Sequence, residues 1–126
     1  MEKTIIVGDK ELKMRASALT PRLYRFRFGR DIIQDINQLK KSFKRVNELP
    51  EDATEEERND AQLSALDLTI FENVAYIMSK HADNNQPDDP DEWLEQFDMF
   101  SIYQVLPQIL TLWNLSTATT SVPKKN

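Results

Sequence analysis

The chain of 126 residues contains no cysteine, one histidine and two glycines. Without cysteine it can form neither a disulfide nor a thiol nucleophile, and with His81 as its single imidazole a zinc finger or a catalytic triad is disfavoured. Two glycines hardly suffice for a phosphate-binding loop. No apolar run approaches the roughly 18 residues of a spanning helix, and the N-terminus lacks the apolar stretch of a secretory signal. We therefore expect a cytoplasmic protein without catalytic, cofactor-binding or metal-binding residues.

Charge is distributed unevenly along the chain. Residues 1–47 carry twelve basic and five acidic side chains, a formal charge of +7, whereas residues 48–126 carry four and sixteen, a charge of -12. Such a split indicates either that copies meet head to tail or that the two halves face each other within the fold. It also disfavours nucleic-acid binding, because the acidic half would repel phosphates.

Two short apolar segments at 4–7 and 12–15 flank Gly8-Asp9, a pair typical of two-residue hairpin turns. We expect a β-hairpin over residues 3–16. An isolated two-stranded hairpin in water cannot bury either of its faces. We therefore expect this hairpin to pack on helices or on another subunit.

Helices follow the hairpin. Thr20-Pro21 is typical of a helix start, with threonine as N-cap and proline in the first turn, and Gly29 marks a bend. Beyond it, apolar residues recur at helical spacing: Ile32, Ile36, Leu39, Phe43 and Val46. The pattern predicts an amphipathic helix.

The stretch 47–57 is acidic and contains a proline, which predicts an exposed connection. Thr54 and Glu57 match a capping box, and we expect one helix to run from there to 81–84. Its predicted core face is one stripe: Leu63, Leu66, Ile70, Val74 and Ile77. His81 continues this stripe, so packing or helix capping is expected of it rather than catalysis.

The last third begins with Asp89-Pro90, a second N-cap and first-turn proline pair. Apolar faces follow at 93–97 and 100–113, and residues 116–126 are small and polar. We expect one domain over 1–115, of the α+β class and mostly α, with the N-terminal hairpin (3–16) followed by a compact bundle of three to five helices. The segment 116–126 is predicted to be a flexible C-terminal tail.

No set of residues predicts catalysis. The acidic clusters at 55–57 and 88–92 lack the spacing of a calcium loop and lie where helix N-termini favour negative charge. Candidate protein-interaction residues are the aromatic side chains of the last third and two arginines of the first helix: Trp93, Phe97, Phe100, Tyr103, Trp113, Arg25 and Arg27. Core and interface aromatics look alike in sequence.

Three stretches of the sequence carry a resemblance to a known family. The first is residues 16–32, ASALTPRLYRFRFGRDI. The second is the helical segment 71–78, FENVAYIM, followed by the acidic 87–94, PDDPDEWL. The third is 105–115, VLPQILTLWNL, which leads to the ending SVPKKN. In this order, these stretches together resemble the tail assembly chaperones of long-tailed, siphovirus-type phages and prophages of Gram-positive bacteria. The likeness covers residues 4–126.

The resemblance implies a chaperone without enzymatic activity. Members of this family bind and solubilise the tape measure protein, help to recruit the tail tube subunits, and are absent from the mature virion. Many are also made in a longer form by a programmed minus-one ribosomal frameshift, and the ending Lys-Lys-Asn can be encoded by a slippery heptamer. We thus expect the tape measure protein, the tail tube protein and further copies of the chain as partners, in the cytoplasm of a bacterial host.

The alternative is a small cytoplasmic regulatory or adaptor protein. The run at 22–30 interleaves arginines with aromatic residues, as a surface that stacks bases and binds phosphates would require. Binding that weakens steeply with salt and needs no protein partner would favour this alternative.

Overall fold

A two-stranded hairpin precedes six helices in the computed structural model, which describes residues 1–60 and 62–121. The strands are β1 (Glu2–Val7) and β2 (Lys10–Arg15), and the helices are α1 (Thr20–Phe28), α2 (Ile32–Asn47), α3 (Glu55–Asp60), α4 (Ala65–Ala82), α5 (Pro90–Leu94) and α6 (Ile102–Ser121). The predicted α+β, mostly α class is confirmed. The described residues form one helix more than the three to five expected, and α3 and α5 are a turn or two each.

The hairpin has the predicted position and turn. Val7 pairs with Lys10 across Gly8-Asp9, and Gly8 has φ 63°, a left-handed conformation that glycine adopts without strain. Alternate residues point inward, so that β2 packs on α4 and β1 packs on α6. The helices of the same chain therefore supply the support that two strands require.

The outer edge of β1 is covered by side chains of α6. Gln108 accepts a hydrogen bond from the Ile6 backbone N–H at 3.0 Å and returns one to the Ile6 carbonyl at 2.9 Å. One helical turn earlier, Gln104 accepts from the Gly8 N–H at 2.7 Å. These two amides take the place of a neighbouring strand and protect an edge that would otherwise pair with other chains.

Helix α1 starts in a different way from the one predicted. Its N-cap is Leu19, which provides no side-chain cap, and Thr20 is the first helical residue. The Thr20 hydroxyl is buried and accepts a hydrogen bond from the Ser17 N–H at 2.9 Å, so it stabilises the preceding turn. The predicted N-cap role of Thr20 is therefore wrong, whereas Gly29 ends α1 as expected, with φ 68°.

The single helix predicted from 54 to 84 is two helices. Thr54 and Glu57 form the expected capping box, but the helix that they open is α3, which ends at Asp60. A second capping box, Ser64 with Asp67, opens α4. Because a new helix begins at Ala65, Leu66 lies in its first turn and is 54% exposed, contrary to the prediction that it lies on the core face.

Helix α4 lies at the centre of the fold and contacts β2, α1, α2, α5 and α6. Its middle is buried on nearly every side, which requires apolar residues around most of the helix. The buried residues of this stretch are Ile70, Phe71, Val74, Ala75, Tyr76, Ile77, Met78 and Ser79. The other elements are thus arranged around one helix.

Helix α6 extends through Ser121, so the backbone of 116–121, the first part of the predicted C-terminal tail, is helical. Residues 122–126 lie outside the described residues. The flexibility of the tail stays a prediction.

A buried polar cluster joins α1 to α2. The Tyr24 hydroxyl donates to the Asp35 carboxylate at 2.7 Å, and Arg30 donates to both oxygens of that carboxylate at 2.8 Å. Tyr24 and Asp35 are almost fully buried, so the carboxylate depends on these donors in place of water. The hydrogen-bonded Arg30 guanidinium holds the pKa of Asp35 below its usual range, against the opposing effect of burial.

We predict that Asp35→Asn lowers the free energy of unfolding at neutral pH by about 2 kcal/mol, because charged hydrogen bonds in a buried site are lost. The carboxylate has a depressed pKa in the folded state, so it stabilises the fold above its unfolded pKa, and this stabilisation disappears as pH falls through the folded pKa. The wild-type protein and Asp35→Asn should therefore have similar free energies of unfolding at acidic pH. Urea denaturation at stepwise lower pH measures this difference.

Glu51→Gln is the matched control, since Glu51 is exposed. Equal stability of wild type and Asp35→Asn at neutral pH would contradict the role given to the cluster.

Candidate protein-binding groove

Most of the candidate aromatic residues lie in the core. Trp93 is fully buried and its indole N–H donates to the Ser79 hydroxyl at 3.0 Å, while Trp113 is 8% exposed. The half-buried Phe97 and Phe100 pack on Trp93, with ring centroids 5.2 and 5.3 Å away. In this structure these four side chains stabilise the fold rather than form a surface.

Tyr103 differs from the other aromatic candidates. Its side chain is 57% exposed and lies beside Phe43, with ring centroids 5.9 Å apart. It remains available for contact with a partner.

The two candidate arginines are exposed on α1. Arg27 donates to the backbone carbonyl of Asp88 at 2.6 Å, and its guanidinium lies 5.7 Å from the ring centroid of Tyr76. Arg27 therefore connects α1 to α4 and to the loop before α5. Among the described residues, no hydrogen bond, salt bridge or cation–π contact joins Arg25 or Arg27 to the aromatic candidates Trp93, Phe97, Phe100 and Tyr103.

A groove of ≈ 690 Å³ lies between α1 and α4. Its α1 side carries Leu19, Leu23 and Phe26, spaced by four and three residues, which places them on one face of the helix. Leu19 is 45% and Phe26 is 72% exposed. The groove thus presents large apolar side chains to solvent without a covering element among the described residues.

The α4 side of the groove combines apolar and polar residues. Tyr76 and Ile77 are buried and form the floor, and Lys80 and His81 follow one turn later. The two helices run antiparallel, because Ser17 meets His81 at one end and Arg27 meets Tyr76 at the other. The result is a trough between two helices, open on one side.

Sequence reasoning missed Leu19 and Phe26 as site residues. Of the aromatic residues in the run 22–30, Tyr24 and Phe28 pack inward, with their ring centroids 5.1 Å apart. The available signal was the spacing of Leu19, Leu23 and Phe26, a second apolar stripe on a helix whose other face already fills the core.

The ends of the groove are positively charged. Lys80 donates to the Asp88 carboxylate at 2.7 Å, and this contact lowers the pKa of Asp88. Among the described residues that line the groove, Asp88 supplies one carboxylate against three cationic side chains, Arg15, Arg27 and Lys80. Within the described part of the chain neither arginine forms a salt bridge.

His81 has the packed position expected of it. It is half-buried at the end of α4, and its Nε2 lies 2.9 Å from the Ser17 hydroxyl. Burial lowers the pKa of His81, and the nearby charges of Arg15 and the N-terminal amine lower it further. The imidazole therefore stays neutral at neutral pH.

Residues 1–60 and 62–121 contain neither a candidate metal site nor a candidate membrane-spanning helix. No three histidine or acidic side chains come together in a way that could hold a metal ion. No helix in this part of the chain is long and apolar enough to cross a bilayer. The groove offers apolar side chains and positively charged side chains for contact with a binding partner.

We predict that Trp93→Phe lowers the free energy of unfolding by about 2 kcal/mol, because it removes a buried hydrogen bond and leaves a small cavity. Tyr103→Ala should cost less than about 1 kcal/mol, since most of its side chain is already in water. Chemical denaturation compares the two variants. A Trp93→Phe protein as stable as wild type would be inconsistent with a core role.

The chain was also compared with known proteins. No protein-family model matches it, and neither does any curated protein or solved structure.

Proposed function

We propose that the chain is a phage tail assembly chaperone that binds and solubilises the tape measure protein and helps to recruit tail tube subunits, without enzymatic activity. It acts in the cytoplasm of the bacterial host and is absent from the mature virion. Recruitment of the tail tube protein is assigned to a longer, frameshifted form, in which 116–126 is a tether. The resemblance of residues 4–126 to this family is the first support for the proposal.

The observation that carries the proposal is the uncovered apolar stripe at the groove between α1 and α4. A long helical protein that awaits assembly exposes apolar helix faces, and such faces bind in grooves between helices. Leu19 and Phe26 expose apolar surface beside a concave floor, which suits this kind of partner. Many copies of so small a protein could coat an extended partner.

Binding of nucleic acid is the second candidate function. The ring of Phe26 is 72% exposed with the Arg22 guanidinium 4.9 Å from its centroid, a pair that could stack on a base. Against it, Tyr24 is buried, Phe28 packs on Tyr24, and Arg27 is bound to the Asp88 carbonyl. One exposed ring is a weak platform for successive bases, so the chaperone proposal is preferred.

We predict that co-expression of this chain keeps the tape measure protein encoded beside its gene soluble, and that the two co-purify. Phe26→Ala should strongly reduce the soluble fraction, because it removes apolar contact without disturbing the core. Met99→Ala is the matched control, since Met99 is 68% exposed and lies outside the groove. Solubility and co-purification are measured against cells without the chaperone.

A tape measure protein that stays insoluble with the wild-type chain would contradict the proposal, provided that the frameshifted form also fails. Sequencing the codons of residues 124–126 shows whether that form must be included.

A further inference from the structure

We propose that the groove between α1 and α4 binds an acidic amphipathic helix, with the apolar stripe of that helix on Leu19, Leu23 and Phe26 and its carboxylates facing Arg15 and Arg27. The inference rests on the proposed function, since the long partner is taken to supply this helix. Beyond the proposed function, the inference specifies that the recognised segment of the partner is acidic, and it specifies the spacing of the apolar residues in that segment.

The shape of the groove suits a helix. The antiparallel helices α1 and α4 leave a trough, and a third helix laid in it would complete a three-helix arrangement. From Leu19 to Phe26 the apolar side spans about 10 Å, or two helical turns. A partner helix with apolar residues at positions i, i+4 and i+7 covers the same length.

The charges around the groove select an acidic occupant. Arg15 lies at the end near His81, and Arg27 lies at the end near Tyr76. The carboxylate of Asp88 pairs with Lys80 and also interacts electrostatically with Arg27. The described lining still has an excess of positive charge, because it holds three cationic side chains, Arg15, Arg27 and Lys80, against this one carboxylate. Carboxylates on a bound helix would face this excess of positive charge, whereas a basic helix would be repelled.

Salt bridges between the basic and the acidic halves of the chain contribute little to balancing this positive charge. Of the salt bridges that the described residues form, only Lys44 with Glu48 joins the basic stretch 1–47 to the acidic stretch 48–126, and it is a local contact within one helical turn. Ion pairs therefore do not make the two halves neutralise each other. Arg15 and Arg27 form no salt bridge among the described residues and can pair with the carboxylates of an external partner.

A second copy of the chain is the competing occupant, since its own acidic helix is α3. However, α3 has the sequence EEERND and contains no apolar residue. It could face the arginines but could not cover Leu19 and Phe26. An amphipathic helix from another protein satisfies both requirements.

The test uses the full chain and a pair of synthetic helical peptides of about 18 residues, long enough to form helix in isolation. Both carry leucine at i, i+4, i+7 and i+11, and one has glutamate where the other has lysine. We expect the glutamate peptide to bind at least about tenfold more tightly in fluorescence anisotropy, with affinity falling as salt rises. Phe26→Ala should weaken its binding about tenfold, as for a central aromatic contact.

Charge reversal provides the sharper control. Arg15→Glu combined with Arg27→Glu should invert the preference between the two peptides, whereas Lys41→Glu, an exposed residue of α2 outside the groove, should not. The inference is overturned if neither peptide binds, if the lysine peptide binds as well, or if Phe26→Ala has no effect. It is also overturned if Phe26→Ala converts a self-associated form into monomer in sedimentation, since the occupant is then a second copy.

The results separate this inference from the proposed function. Binding of the glutamate peptide without retention of the tape measure protein would overturn the proposed function alone. Retention of the tape measure protein that is insensitive to Phe26→Ala would overturn the groove inference alone.

Discussion

Burial of α4 is the constraint on which the rest of the structure depends. A helix whose residues from Ile70 to Ser79 are mostly apolar on all sides must be covered by other elements from every direction. The hairpin, α1, α2, α5 and α6 each cover part of it. The hairpin in turn could not be stable alone, so strands and central helix depend on each other.

The groove follows from this arrangement and from the two faces of α1. One face is held inward by Tyr24, whose hydroxyl reaches the Asp35 carboxylate that Arg30 also binds. With that face fixed, Leu19 and Phe26 have to point away from the core, along the side where α4 carries Tyr76 and Ile77. The cluster that stabilises the fold thereby determines which apolar residues stay exposed.

Local signals predicted the elements well, and long-range burial could not be predicted. The Gly8-Asp9 turn, Gly29 and Asp89-Pro90 act through backbone geometry, so a few neighbouring residues suffice to identify them. The division of α3 from α4 was missed because Ser64 with Asp67 competes with a continuous apolar stripe. The burial of Trp93 could not be predicted because an aromatic side chain has the same sequence signature in a core as in an interface.

We propose that the tape measure protein binds in the groove between α1 and α4. Hydrogen–deuterium exchange of the full chain, with and without that partner, tests it directly. We expect new protection of backbone amides in α1 and in the second half of α4, with β1 unchanged because Gln104 and Gln108 already cover its edge. Protection confined to α3, to β2 or to α6, with α1 unaffected, would contradict it.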